Sequence, residues 1–379
     1  NKRLDKFYRQ NELGMHFMQY QARSFDKYMQ TEERRGKRKM VKTKDAVNDM
    51  TVGTPAKLII QFMIPVFLGN IFQQFYNIAD SIVAGQFIGV KALAAIGSTG
   101  SLMFFVTGWL NGLSSGFAIL VSQWFGAKQY DKMRHYVAMS VYLAGGCAVL
   151  MTAGLLIANE PILRMMNYSA EIMPEVKQYM GIIYAGLIVT AAYNSLAAFL
   201  RAIGDSKSPL YFLIISAVIN VALDVVFIVV FGMGVEGCAY ATVIAQAISA
   251  LLCFIYIVKK FPILHLTKSD RKISFQSFGR LLSLGIPMGL QFSITAIGTI
   301  IVQGAVNVYG ETYMAGFSAA GKLQNMIMTV FVAFGATVAT YVGQNRGAGR
   351  MDRVKSGVRC TQVMILVWSV IAMAAVCFG

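Results

Sequence analysis

Nine predominantly apolar stretches of at least 20 residues run through this chain. A helix of that length crosses the roughly 30 Å hydrocarbon core of a bilayer. The chain is therefore predicted to be an all-α, polytopic membrane protein, with helices near 56–84, 92–124, 134–158, 174–200, 208–232, 236–258, 279–309, 313–343 and 357–377. Only 14% of its residues are charged, against about 25% in soluble domains.

The net charge of +16 would suit nucleic acid, but the bases sit where a membrane protein puts them. Lys128, Lys132 and Arg134 follow the second stretch, and Arg201 and Lys207 the fourth. Lys259, Lys260, Lys268, Arg271 and Lys272 follow the sixth, and Arg346, Arg350, Arg353 and Lys355 the eighth. The alternate loops are poor in base. Cytoplasmic loops carry the Lys/Arg excess, so these loops and the amino terminus are expected to face the cytoplasm of a cell whose plasma (inner) membrane holds the protein. No nucleic-acid partner is expected; the partners are the bilayer and small molecules, and the chain is read as a monomer. Residues 1–50 hold 13 Lys/Arg and 7 Asp/Glu and read as a cytoplasmic extension, with an anionic-lipid or RNA-binding tail as the alternative. Cys147, Cys238, Cys253, Cys360 and Cys377 form no CxxC pair, so no disulfide framework or zinc site is expected. His16, His135 and His265 fall outside the apolar stretches, which speaks against an intramembrane histidine relay.

The chain repeats itself. IPVFLGNIFQQ at Ile64 resembles IPMGLQFSITA at Ile286, and VSQWFGAKQYDKMR at Val121 resembles VGQNRGAGRMDRVK at Val342, at offsets of 222 and 221 residues. Each repeat begins on the same side and is expected to hold six helices. The two halves are then parallel bundles related by an axis along the membrane normal. The second shows three helices, so about nine of twelve are read as present. The organisation expected is an extension (1–50), a six-helix bundle (51–260), an interbundle loop (261–278) and a partial bundle (279–379). Pro65 and Pro287 occupy matching positions and are expected to kink their helices and act as hinges.

Polar groups at membrane depth are functional candidates by default. Asn70, Gln73, Asn77 and Asp80 share one face of the first helix; Ser216, Asn220 and Asp224 share one face of the fifth. Asp80 lies about 36 Å and Asp224 about 24 Å along ideal helices entered from inside, and tilt and the Pro65 kink bring them to similar depth in the outer half. Two acids with an amide and a hydroxyl nearby can hold a proton or Na⁺. Val302 stands at the repeat position of Asp80, which places the ion function in the first half. The second half offers Gln291, Thr295, Thr299 and Gln303 as one stripe, and Ser318, Lys322, Asn325 and Thr329 as another. Lys322 is read as a mobile counter-ion, a gate or a plain structural cation. Phe75, Tyr76, Tyr193, Met288, Met326 and Met328 are candidates for a plastic apolar pocket. GFSAAGK at 316–322 has phosphate-loop spacing, but Leu323 replaces the Mg²⁺-binding hydroxyl and no strand precedes it. Transport is then driven by an ion gradient or is passive, with no cofactor.

YNIADSIVAG, INVALDVVF, AYATVIAQ and VGQNRGAG, with the proline-initiated first helix, together resemble the multidrug and toxic compound extrusion (MATE) family over about residues 47–379. The resemblance implies two six-helix bundles around a central cleft and export of amphipathic, often cationic compounds in exchange for H⁺ or Na⁺. It implies a cation site at Asp80, Asn220, Asp224 and Thr242, with any Na⁺ at Asp80 and Asp224, and a cleft lined by Gln73, Tyr76, Asn77 and Asn194, to which the second half adds Gln291, Lys322 and Asn325. Two alternatives stand beside it. A lipid-linked saccharide exporter of related fold would want a more basic cleft. A membrane-embedded aspartyl enzyme would want a GxGD-type motif, whereas ALD precedes Val225 here.

Overall fold

A computed structural model describes residues 49–166, 168, 171–307 and 311–378. The amino-terminal extension, His16 and the side chains of Tyr76, Asn77, Gln303, Ser318 and Lys322 lie outside the described residues. The helices are α1 (Pro55–Phe87), α2 (Val90–Ser98), α3 (Gly100–Gly126), α4 (Tyr130–Met165), α5 (Met173–Ala185) and α6 (Leu187–Ala202), then α7 (Lys207–Val225), α8 (Val235–Lys260), α9 (Phe275–Asn307), α10 (Glu311–Gly347) and α11 (Met351–Phe378). Among the described residues eight helical stretches are long and apolar enough to cross a membrane, and α5 with α6, bent by 47°, passes the same test as a pair. The outward side chains suit lipid: Ile157 is 82% exposed and Leu150 75%.

Three expected helices are less regular than their hydropathy suggests. The second is broken at Thr99, whose hydroxyl donates to the carbonyl of Ile96. The fourth bends at Gly186, where a Cβ would collide with Val243 of α8. The fifth ends in a π-helical turn, Val226–Val230, beyond Asp224. Pro65 and Pro287 sit inside α1 and α9, which run on through them as helices. His135, expected outside the apolar stretches, lies in the second turn of α4.

The repeat has a physical counterpart. Ile59 and Phe62 of α1 pack with Val330 and Phe334 of α10. The repeat-related pair is α9 against α3, where Gly112 and Gly116 let the backbones of Gly289 and Gly285 approach within contact distance. Small residues at such a seam let dispersion forces act between whole backbones, the main driving force for helix association in lipid.

The two copies of the V-x-Q motif meet each other at the basic end. A Cβ on Gly126 would fall inside the Gln344 carbonyl, 2.6 Å from its carbon, and one on Gly347 inside the Gln123 carbonyl, 2.7 Å from its carbon. These positions exchange under the 221-residue offset, so the contact is reciprocal about the pseudo-two-fold axis. Both motifs close with the same turn: Gln129 N–H donates to Trp124 O at 3.1 Å, and Arg350 N–H to Asn345 O at 2.9 Å. Lys128 (φ 56°) and Gly349 (φ 73°) supply its left-handed residue, so the repeat keeps the conformation where it loses the glycine.

Gln344 and Asn345 extend this clasp. Gln344 accepts from Met50 N–H (3.0 Å) and donates to Ala202 O (2.9 Å). Asn345 donates to Met50 O (3.1 Å) and accepts from Arg353 Nε (2.9 Å). One short motif thus ties the entry to α1, the end of α6 and the start of α11.

The 261–274 connection is pinned to α4 at the same end. Buried Asp270 accepts from Arg134 Nε (2.9 Å) and from Thr267 N–H (2.9 Å) and Oγ1 (2.6 Å). The two ring nitrogens of His135 bond Asp270 O in this segment and Ser277 Oγ in the first turn of α9. Burial opposes ionisation of Asp270, but the Thr267 hydroxyl and amide and the Arg134 guanidinium outweigh it and hold its carboxyl below the usual carboxylate range. The stabilisation is complete above about pH 4 and is lost as pH falls through the lowered native value. Asp270→Ala is expected to destabilise the protein by about 1–3 kcal/mol, because it removes the buried acceptor of Arg134 Nε and of the Thr267 amide; a lowered melting temperature in detergent at pH 7, shrinking toward acid pH, checks this.

Candidate functional site

Two acids far apart in sequence become neighbours in the first half. Asp80, in the seventh turn of α1, and Asp224, at the end of α7, are 5% and 0% exposed, and their carboxyls lie within hydrogen-bonding range of each other. Thr242 Oγ1 of α8 lies 3.3 Å from Asp80 Oδ2, to which it can donate, and 2.9 Å from the Cys238 carbonyl, its other acceptor. Asn220, one turn before Asp224 on the same face of α7, is fully buried. The structure thus brings Asp80, Asn220, Asp224 and Thr242 together.

Five buried polar atoms here find no partner in the protein: Asp80 Oδ1, both Asp224 carboxyl oxygens, and Asn220 Oδ1 and Nδ2. Each such atom costs about 1–3 kcal/mol when left unmet. Two full negative charges 4 Å apart would add about 4 kcal/mol at an effective dielectric constant of 20. A positive charge shared by the two acids would relieve both costs. The four free oxygens fit a small hard cation, and the carboxyl pair fits a shared proton.

Two neighbours were not foreseen as site residues. Cys238 is one turn from Thr242 and lies against Asp224; Tyr179 of α5 faces both acids. Cys238 was legible in principle from its i, i+4 spacing to Thr242, but an apolar residue type gave no reason to choose it.

The remaining candidates are spread out. Gln73 and its repeat equivalent Thr295 are both exposed, as are Gln291, Thr299 and Asn325. Asn194 is half-buried on α6 and makes no hydrogen bond to either acid. Phe75 and Met326 are 62% and 70% exposed. Tyr193, grouped with them as a pocket aromatic, instead faces Cys253 and Arg201 inside the first half, because its side of α6 packs on α8. A shallow apolar recess of about 290 Å³ lies between α10 and α11, lined by Ile327, Phe331, Ser369 and Met373.

The family model MatE matches residues 65–226 and 287–379, one match in each half of the repeat. The chain belongs to the MatE family. Among its relatives, the probable multidrug resistance protein YpnP of Bacillus subtilis is 32% identical over 310 residues, covering 81% of this chain and 68% of that protein. The FAD transporter of Shewanella oneidensis is 22% identical over 330 residues, covering 85% and 72%. The fold is that of solved MATE transporters. One captured in an outward-facing conformation superposes with a TM-score of 0.81 at 22% identity, covering 88% of this chain and 74% of that one. This MatE chain spans about two thirds to three quarters of the lengths of these relatives and neighbours.

Proposed function

We propose that this MatE protein is a multidrug efflux antiporter of the plasma membrane, with its basic end in the cytoplasm. It exports amphipathic, often cationic organic compounds in exchange for H⁺ or Na⁺ by alternating access and works as a monomer. The buried Asp80–Asp224 pair with its unmet oxygens carries this reading, because the pair demands a positive charge that must come from solution.

The reciprocal clasp supports the direction of access. It joins the two halves at the basic end, so the described state is closed toward the cytoplasm and takes ions from outside. Binding of H⁺ or Na⁺ at the pair relieves the repulsion between its acids, repacks α1 against α7 and α8, and lowers the affinity of the cleft for its organic substrate. In this reading Gln73, Asn194, Gln291 and Asn325 line that cleft, and the Pro65 and Pro287 helices supply the hinges. Export of a monovalent cation for one proton moves no net charge, so the chemical ion gradient alone drives that exchange.

The test is ethidium addition to vesicles holding the purified protein, with pH and Na⁺ indicators inside. Dye-driven movement of either ion establishes coupled exchange and names the ion. Dye flux with neither ion moving would reduce the pair to a structural feature.

A further inference from the structure

The seam between α3 and α9 has two unlike sides. The helices run antiparallel, with Gly108 against Phe292, Gly112 against Gly289 and Gly116 against Gly285; a Cβ on Gly112 or Gly116 would stand 2.6 Å from the Cα of the glycine opposite. At about 100° per residue, Phe104, Asn111, Ser115 and Ser122 fall about 60–100° to one side of Gly112, and Met288, Phe292, Thr295 and Thr299 about 60–120° to one side of Gly289. In an antiparallel pair these are the same side, and the Phe104 and Phe292 rings meet there edge to face, 6.4 Å apart. This side looks into the space between the halves: nearer the basic end it carries Ser122, whose hydroxyl a Cβ on Gly343 of α10 would strike. The opposite side of α9 is apolar and suits lipid, with Ile286, Leu290 and Ile297 exposed.

Asn111 is exposed on the inward side, about 16 Å along α3 from its outer end. Lipid offers an amide no hydrogen-bond partner, so Asn111 belongs to a polar space. Among the described residues its side chain has one hydrogen bond, accepted by Oδ1 from Ser115 Oγ at 3.4 Å, which leaves its amino group free. Thr295 and Thr299, also exposed, direct their hydroxyl protons to Gln291 O (2.9 Å) and Thr295 O (3.0 Å), so they present oxygen lone pairs outward. No charged residue occurs in α3, and Arg280 is the one charge in α9. The repeat does not duplicate this wall, because Val332 and Ala336 stand at the positions of Asn111 and Ser115.

We infer that the inward side of the α3–α9 seam is the wall on which the substrate is recognised, and that Asn111, Thr295 and Thr299 select planar aromatic compounds carrying N–H or C=O groups. This rests on the antiport reading above and names the substrate class it serves. A ring system lies against Phe104, Phe292 and Met288. Its N–H groups donate to the threonine hydroxyls or to Asn111 Oδ1, and a carbonyl accepts from Asn111 Nδ2. The wall holds no charge, so it discriminates by hydrogen bonding and shape and is indifferent to a bare lipophilic cation. Asn111 was passed over in the sequence because it stands alone among apolar and small residues; only the glycine seam shows that its side of α3 faces the other half.

The test is equilibrium binding, to the full purified protein, of ethidium, a planar ring system with N–H groups, and of tetraphenylphosphonium, a cation with neither N–H nor C=O. In Asn111→Leu, ethidium binding is expected to weaken about fivefold or more, as the loss of one net hydrogen bond predicts. Tetraphenylphosphonium binding stays within about twofold of the parent and reports an intact fold. Thr295→Val, isosteric and exposed, is the second variant and is expected to show the same split at about threefold; Asn111→Gln is expected to restore most of the ethidium binding. Parental ethidium binding in both Asn111→Leu and Thr295→Val would mean that these groups meet only water and would overturn the inference. Equal weakening of both compounds in Thr295→Val would overturn it as well. Ethidium-driven ion movement is measured in vesicles of the parent: its absence would remove the antiport reading, whereas the binding split alone decides the wall.

Discussion

Cells expressing Asp224→Asn should accumulate ethidium to the level of cells lacking the protein, and Asp80→Asn should do the same. Asparagine keeps the shape and burial of each side chain and removes only its ability to hold a positive charge, so the fold survives and coupling does not. A gradient of one pH unit holds about 1.4 kcal/mol per proton, enough to sustain about a tenfold gradient of a monovalent dye in one-for-one exchange; without coupling that ratio falls to one. Thr242→Val removes a single 3.3 Å hydrogen bond to Asp80, worth about 1.5–3 kcal/mol to a charged acceptor, and should weaken efflux without abolishing it. Dye accumulation at fixed external pH measures all three. Wild-type efflux in both asparagine variants would show that the acids carry no ion.

The second large effect is expected at the clasp. Gly126→Val and Gly347→Val each place a branched side chain where the facing Gln344 or Gln123 carbonyl already lies. Neither site can relax locally, because the obstacle is backbone held in a helix end. The halves must separate at the basic end, and the closure there is lost. Efflux is expected to fall below about a tenth of the parent, in line with the several kcal/mol that overpacking against rigid neighbours costs. Both variants should behave alike, since the contact is reciprocal. Spin labels at Lys128 and Ala348, both exposed beside the clasp, should report a short distance in the parent and a longer one in either valine variant. An unchanged distance with unchanged efflux would mean that the closed state does not depend on this contact.

Much of this molecule is legible without coordinates. Lipid removes every alternative for a 20-residue apolar run, so hydropathy alone places the spans to within about seven residues of the observed helix ends. The 221-residue offset between VSQWFGA and VGQNRGA predicts two related halves. Helical periodicity puts Asn220 and Asp224 on one face, and an acid at membrane depth is conspicuous by its cost. Irregularities are less legible. Thr99, Gly186 and the π-helical turn after Asp224 respond to neighbours from other helices, and no local propensity announces them.

What the amino-acid order determines is which side chains share a helix face and which cannot face lipid. It does not determine which faces meet. Asp80 and Asp224 are 144 positions apart, yet the close packing of α1, α7 and α8 makes neighbours of them, with Thr242 and Cys238 beside them. The same holds for Gly126 and Gly347. Each reads as a helix-ending glycine, and only the docking of the two halves turns them into reciprocal contacts. The reason is physical: periodicity is a property of one helix, whereas the pairing of helices is decided by how their surfaces fit, and a missing side chain on one surface has meaning only beside the backbone that fills its place.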